Sequence, residues 1–255
     1  MSSAWALTIA KPPTNRKTSG RPIKWPAKPV LISPLTPVSS VNIGVTWKRP
    51  WTYLCFSSGL SSTFQNANIA VEDLKEQFPD RTVLVVDSLC ASMGEGLFCY
   101  LCAQQKAAGK SMEEVRDYAE SIKLNLCHWF TVDDLNHLKR GGRISSTTAL
   151  VGTMLSIKPV MHVDNEGHLI PMAKVRGRKA SLTALVDHME ATAIDPQNQT
   201  IFISHGDCLE DAQFVADEIR KRMGVTDIRM NYIGPVIGSH SGPGTVALFF
   251  LGKER

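Results

Sequence analysis

From Trp51 onward the apolar residues fall into two alternating rhythms. Tyr53-Leu54-Cys55-Phe56 and Thr82-Val83-Leu84-Val85-Val86 are short unbroken apolar runs, the pattern of strands covered on both faces, and each is closed by a polar turn. Between them, Ala67, Ala70, Val71, Leu74 and Phe78 repeat at helical spacing behind Ser61-Ser62-Thr63. After the second run, a turn with Ser92, Gly94 and Gly96 leads into a helix from Leu97 to Ala108, with Gly109 as its stop. Two successive strand-helix units predict parallel pairing. Ser111 followed by Glu113 and Glu114 starts another helix, with Met112, Val115, Tyr118, Ala119 and Ile122 on one side.

Near Leu124 the pattern changes. His128–Val132 reads as a strand, Val132–Lys139 as a short helix headed by Asp133 and Asp134, and residues 145–155 as a further helix. Ile157–Val163 and His168–Val175 are strands joined by Asp164-Asn165-Glu166-Gly167, a hairpin turn whose Asn and Gly accept positive φ. A helix from Gly177 to Thr192, a strand Thr200–Ser204, a helix Cys208–Met223, a strand Ile228–Ile233, a glycine-rich loop and a strand Thr245–Leu251 complete the chain. The fold class is α/β in two domains: a parallel-sheet first domain over 51–125, incomplete at its N-terminus, and a mixed α/β second domain over 126–255.

Residues 1–50 follow neither rhythm. They hold eight of the 14 prolines, three of the five tryptophans, eight Lys or Arg and no acid, so this stretch carries +8 and the other 205 residues −4. Such a run cannot bury enough apolar surface to offset its ordering entropy, which predicts an irregular segment outside the fold that offers no strand beside residues 52–56. A nucleic-acid or membrane-binding arm and an organelle transit peptide are the other readings of its charge. Overall the chain of 255 residues is 43% hydrophobic and 20% charged, and no run approaches the ~18 apolar residues of a membrane-spanning helix. No integral membrane segment and no nucleic-acid partner are expected. Six dispersed cysteines predict a reducing cytoplasm.

In open α/β sheets, ligands meet the strand ends, which directs attention to 57–63, 87–96, 140–145 and 234–244. Ser57 and Ser58 stand between a strand and a helix start, where hydroxyls and backbone N–H groups hold an anion; the other reading is that Ser61 or Ser62 simply caps the helix. Arg140 and Arg143, around Gly141-Gly142, suit two-pronged binding of an anion or a solvated loop. His240 lies between Ser239 and Ser241 in a loop that glycine frees from ordinary φ limits. Lys174-Val175-Arg176-Gly177-Arg178-Lys179 sets four cations at a helix start, against the helix dipole. Cys99 and Cys102 lie in an apolar helix and read as packing, and His205 as a strand-end cap. No metal spacing, Walker loop, dinucleotide loop or nucleophile elbow is present, so neither a metal nor a cofactor is expected.

Six stretches carry a resemblance: Phe56-Ser57-Ser58-Gly59-Leu60-Ser61-Ser62-Thr63; Asp87-Ser88 with Ser92-Met93-Gly94-Glu95-Gly96; Phe130-Thr131-Val132-Asp133 through Lys139-Arg140-Gly141-Gly142-Arg143; Ile157-Lys158-Pro159-Val160 with Asp164-Asn165-Glu166-Gly167; Lys174 through Lys179; and Ile233 through Gly244. In this order the chain resembles the DegV family over residues 52–251. The resemblance implies a two-domain protein that is not itself an enzyme. It would enclose a long-chain fatty acid in an apolar tunnel between the domains and present the carboxyl to a separate ATP-dependent fatty acid kinase subunit. It implies that Ser58, helped by Ser57, donates to the carboxylate, that Arg140 or Arg143 and His240 join the head-group network, and that Arg176 and Arg178 lie toward the kinase. Family members also hold the carboxyl with a threonine near the front, for which Thr18 in Lys17-Thr18-Ser19 is the nearest counterpart. The alternative is an enzyme with its own phosphotransfer or hydrolase activity on a small anionic substrate.

Overall fold

The computed structural model describes residues 6–8, 50–145 and 156–255. They group into two compact units: residues up to Ala91 with Phe98–Lys123, and Ser92–Leu97 with Leu124–Arg255.

The first unit is a parallel sheet of three strands in the order β1-β2-β3, with β1 at Ala6–Thr8, β2 at Trp51–Cys55 and β3 at Val83–Asp87. Every residue of β2 is buried, so its amides and carbonyls need partners on both sides. On one side β3 supplies them, with Trp51 opposite Val83 and Cys55 opposite Asp87. On the other stands β1, with Ala6 opposite Trp51 and Thr8 opposite Tyr53. The expectation that residues 1–50 offer no strand beside β2 is therefore corrected: the three residues Ala6-Leu7-Thr8 within a basic, proline-rich stretch pair with the buried strand, and composition averaged over 50 residues hides them. The remainder of that stretch, Thr18 included, lies outside the described residues, as does the helix expected at 145–155 beyond its first residue.

Helix α1, Thr63–Gln77, buries Thr63, Ala67, Ala70, Val71 and Leu74 at the spacing read from the sequence. Trp51, Tyr53, Cys55 and Ala67 form a small core there. Helix α2 spans Ser92–Ala107, five residues earlier than the pattern suggests. The reason is packing: a Cβ on Gly94 would strike the His128 ring and come within 2.7 Å of Phe249, so this glycine permits close approach within a helix and marks no turn. Helix α3, Met112–Ile122, opens with a capping box in which the Ser111 hydroxyl accepts from the Glu114 amide and the Glu114 carboxylate accepts from the Ser111 amide.

The second unit is built on a six-stranded mixed sheet, β6-β5-β4-β9-β7-β8. Its strands are β4 Leu126–Thr131, β5 Ile157–Val163, β6 Leu169–Arg176, β7 Thr200–His205, β8 Asp227–Tyr232 and β9 Val246–Leu251. All pairs are antiparallel except β7 with β8. The β5–β6 hairpin closes as the turn chemistry predicts, the Asp164 carboxylate accepting from the amides of Glu166 and His168 and Gly167 at φ 81°. β6 is an edge strand with Pro171, Met172, Ala173 and Lys174 exposed, and a bulge interrupts its pairing at Val160/Met161.

Two long helices cover one face of this sheet. Helix α5, Arg178–Thr192, buries Ser181, Leu182, Leu185, Val186 and Met189; α6, Leu209–Met223, buries Ala212, Val215, Ala216 and Ile219. They meet Ile201, Ile203, Val246, Leu248 and Phe250 in the main core. Arg222 ties the helices on the outside by pairing with Asp187 and Glu190. Two short helices sit at strand ends: α4, Leu135–Arg140, capped by the Asp134 side chain, and α7, Pro235–Ser241. The latter replaces the expected glycine-rich loop, because Pro235 at the first helical position presets φ and outweighs the glycine at 238.

Phe250 has no exposed surface in the main core. Phe250→Ala is expected to lower unfolding stability by about 3–5 kcal/mol, whereas Met172→Ala, at a residue 51% exposed, should change it by less than about 0.5 kcal/mol. Urea unfolding of both variants checks the contrast; equal midpoints would place the main core elsewhere.

Candidate functional site

In the first unit, the Ser57–Ser61 turn leaves β2 and leads into α1. Ser57 is fully buried, and its hydroxyl accepts from the Gly59 amide at 3.2 Å, so it shapes the turn. Ser62 is the N-cap of α1 without a side-chain cap bond, and the hydroxyl of Ser61 before it accepts from the Thr63 amide at 3.3 Å. The Ser58 amide donates to Asp87 Oδ1 at 3.2 Å, which leaves the Ser58 hydroxyl with no partner among the described residues. Asp87 also accepts from the Leu89 amide at 3.1 Å, while the Ser88 hydroxyl donates to the Cys55 carbonyl at 2.6 Å and accepts from the Cys90 amide at 3.1 Å. Asp87 and Ser88 are thus the brace behind the serine turn. The sequence displayed them as an acid-polar pair at a strand end, but a carboxylate that accepts two amides cannot be told from a catalytic one without the fold.

In the second unit, α4, the segment after it and α7 bring Arg140, Arg143 and His240 together. Arg140 Nη2 lies 3.0 Å from His137 Nδ1, and Arg143 donates to the Gly141 carbonyl at 2.6 Å. A Cβ on Gly141 would collide with the His240 ring, and one on Gly242 would fall 2.5 Å from His137, so the two helices interlock through their glycines. Burial, then the charge of Arg143, hold the His240 imidazole below its ordinary pKa. A neutral ring beside the exposed Arg143 guanidinium offers both a neutral donor and fixed positive charge to an acidic group. His137 was absent from the sequence reading because a lone histidine on a short helix carries no signal of its own.

The basic cluster at β6 and α5 divides. Arg176 is exposed, and no ion pair reaches it among the described residues. Arg178 turns inward: Nε donates to Asp211 at 2.8 Å and Nη2 to the Gly244 carbonyl at 2.5 Å. This geometry does not offer Arg178 to an outside partner. Sequence placed it with Arg176 because both flank the same glycine, and only the helix start at 178 separates their directions.

Elsewhere, His205 Nδ1 accepts from the Cys208 amide at 3.3 Å and caps α6, while Cys99 and Cys102 are buried in α2. Glu95 in the first turn of α2 is 4% exposed, and no hydrogen bond or ion pair reaches it among the described residues. Burial pushes its carboxyl up to about 8. Among the described residues no cluster of three His, Cys, Asp or Glu stands ready for a metal, and no helix is long and apolar enough to cross a membrane.

Two α/β units, one with a serine turn after β2 and the other with Arg140, Arg143 and His240 on or beside short helices, define a two-unit α/β protein. The chain belongs to the DegV family: the profile described as "Uncharacterised protein, DegV family" matches residues 52–253. A DegV domain-containing protein of Clostridium perfringens is 52% identical over 203 residues, 80% of this chain and 70% of the relative. The structure of a fatty-acid-binding DegV family protein from Thermus thermophilus superposes with a TM-score of 0.74 at 28% identity, covering 85% of this chain and 77% of the other. The Streptococcus pneumoniae fatty acid kinase B3 protein, loaded with linoleic acid, gives 0.77 at 21% identity over 85% and 76% of the two chains, a likeness of fold.

Because the folded state holds Glu95 protonated well above the unfolded carboxyl, the unfolded chain binds fewer protons and stability falls as pH rises from about 4.5 to about 8. Glu95→Gln should therefore stabilise the protein at pH 8 by on the order of 1–3 kcal/mol and by much less at pH 5. Thermal melts at the two pH values check it; an equal gain at both would mean that the carboxyl titrates normally.

Proposed function

We propose that this chain binds a long-chain fatty acid and presents its carboxyl group, in the cytoplasm, to a separate ATP-dependent kinase subunit that makes the acyl-phosphate. The observation that carries the reading is the unpartnered Ser58 hydroxyl, in a turn whose Ser58 amide is held by Asp87 and whose Ser57 and Ser61 hydroxyls are engaged within the turn. Hydroxyls without internal partners at a strand end are donors awaiting an acceptor, and a carboxylate is the acceptor that the fatty-acid-binding relative from Thermus thermophilus supports. In the second unit, Arg140, Arg143 and His240 carry a formal charge opposite to that of a fatty acid head group. Ser57 has a supporting part, since its oxygen is engaged by Gly59.

The protein would act as a carrier. The Asp87 carboxylate beside Ser58 is engaged by the amides of Ser58 and Leu89, and the phosphoryl chemistry falls to the partner. Arg176, exposed on the edge strand, is the cation that a partner with an acidic surface would meet.

Two outcomes test this. Native mass spectrometry of the purified protein should find a co-purified fatty acid, and Ser58→Ala should weaken its retention by about 1–3 kcal/mol, the range for one lost hydrogen bond to a charged acceptor; equal retention would remove Ser58 from the site. Arg176→Ala should keep the lipid bound yet slow acyl-phosphate formation by the kinase subunit about tenfold, as truncation of one interfacial charge does. Loss of the lipid itself would contradict the assignment of Arg176 to the partner surface.

A further inference from the structure

Arg178, at the start of α5, touches three separate pieces of the second unit. Its Nε reaches Asp211 on α6 at 2.8 Å, its Nη2 reaches the Gly244 carbonyl at 2.5 Å, and its Nη1 stands 3.7 Å from Asp133 Oδ1. Asp133 is gripped from the other side by Lys158 of β5, at 2.8 Å. Asp133 precedes α4, which carries His137 and Arg140, while Gly244 follows α7, which carries His240. Asp133 and Gly244 are also in direct contact: at Gly244, with φ 74°, a Cβ would overlap the Asp133 carboxylate. The other ties of this loop are neutral, the Gly244 amide to the Gly206 carbonyl at 2.7 Å and the Thr245 hydroxyl to the carbonyls of Ser241 and Gly242 at 3.1 and 2.9 Å.

We infer that Arg178 is a positioning residue: by locking the Gly242–Thr245 loop against Asp133, it fixes where the His240 imidazole stands relative to Arg143 and Gly141. A guanidinium bonded in two directions and paired in a third resists rotation, whereas neutral bonds allow the loop to rock. The interlock leaves no room for a methyl group at Gly141 beneath His240 or at Gly242 beside His137, so small displacements of the loop pass directly to the ring. The charged group that acts on that ring is Arg143, just after α4, while Arg140 and His137 pair with each other on α4. Arg178 thereby sets the spacing of the two helices that supply the cationic donors without being one of those donors itself. Its consequence for lipid binding rests on the fatty acid reading above; its effect on His240 does not.

The test is the NMR titration of the His240 imidazole in the full chain, for the wild type, Arg178→Lys and Asp133→Asn, with the exposed His168 as internal reference and melting temperatures measured in parallel. Arg178→Lys keeps the charge but not the three-way reach. Asp133→Asn is nearly isosteric at a half-exposed side chain, so it folds even if the first variant does not. In each folded variant the His240 midpoint should rise toward the ordinary histidine value as the ring leaves its buried place, with His168 unmoved. An unchanged His240 midpoint overturns the positioning role, whatever happens to the melting temperature, because a purely structural role lowers stability without moving the ring. Lipid is assayed in the same samples: its absence from the wild type overturns the fatty acid reading and leaves the titration to decide on Arg178.

Discussion

The second unit depends on β4 being covered on both faces while paired on both edges. Leu126 through Thr131 are all buried, β5 and β9 satisfy the strand's backbone groups, and side chains alternate between two environments. Cys127 and Trp129 enter the main core beneath α5, where Trp129 stacks on His188 at 3.5 Å. His128 points to the opposite face, against Gly94 and edge-on to Phe249. A histidine there is affordable only as a neutral ring. Burial holds its pKa well below the usual value, and its Nδ1 donates to the Leu126 carbonyl at 3.0 Å. His162, next to it on β5, is held down to about 4 for the same reason and donates to the His128 carbonyl at 3.2 Å. The two histidines at the centre of the sheet are thus uncharged polar groups in an otherwise apolar core, whereas Arg140, Arg143 and Arg176 stand at exposed positions away from it.

That division explains how much was legible in the sequence. Elements governed by a single local rule were readable: the helix start at Ser111, the Asp164–Gly167 turn, the face of α1, and the extents of α5 and α6. Elements governed by contacts across the sheet were not. Gly94 and Gly96 look like a loop until His128, Phe249 and Phe202 stand over them, and Gly238 looks like a breaker until Pro235 starts a helix before it. The pairing of Ala6–Thr8 with β2 is invisible locally, since three residues hold no periodicity.

The candidate site follows the same logic. Residue types and strand-end positions pointed to Ser58, Arg140, Arg143 and His240. Which of them have unengaged polar groups was decided by partners distant in sequence, as with Ser58 and Asp87, 29 residues apart, or Arg178 and Gly244, 66 apart. Charge runs show that cations are present; their direction depends on where a helix begins.

The exposed edge formed by β6 has a further consequence for the fate of the folded chain at high concentration. Pro171 has no amide hydrogen to give to an incoming strand, Lys174 places a hydrated charge beside it, and the irregular pairing at Val160/Met161 bends the ribbon away from flatness. A second molecule that tried to extend the sheet there would lose backbone bonds and meet like charge. The hairpin therefore protects against fibrillar stacking at the end of the sheet where open hydrogen-bonding groups would otherwise invite it.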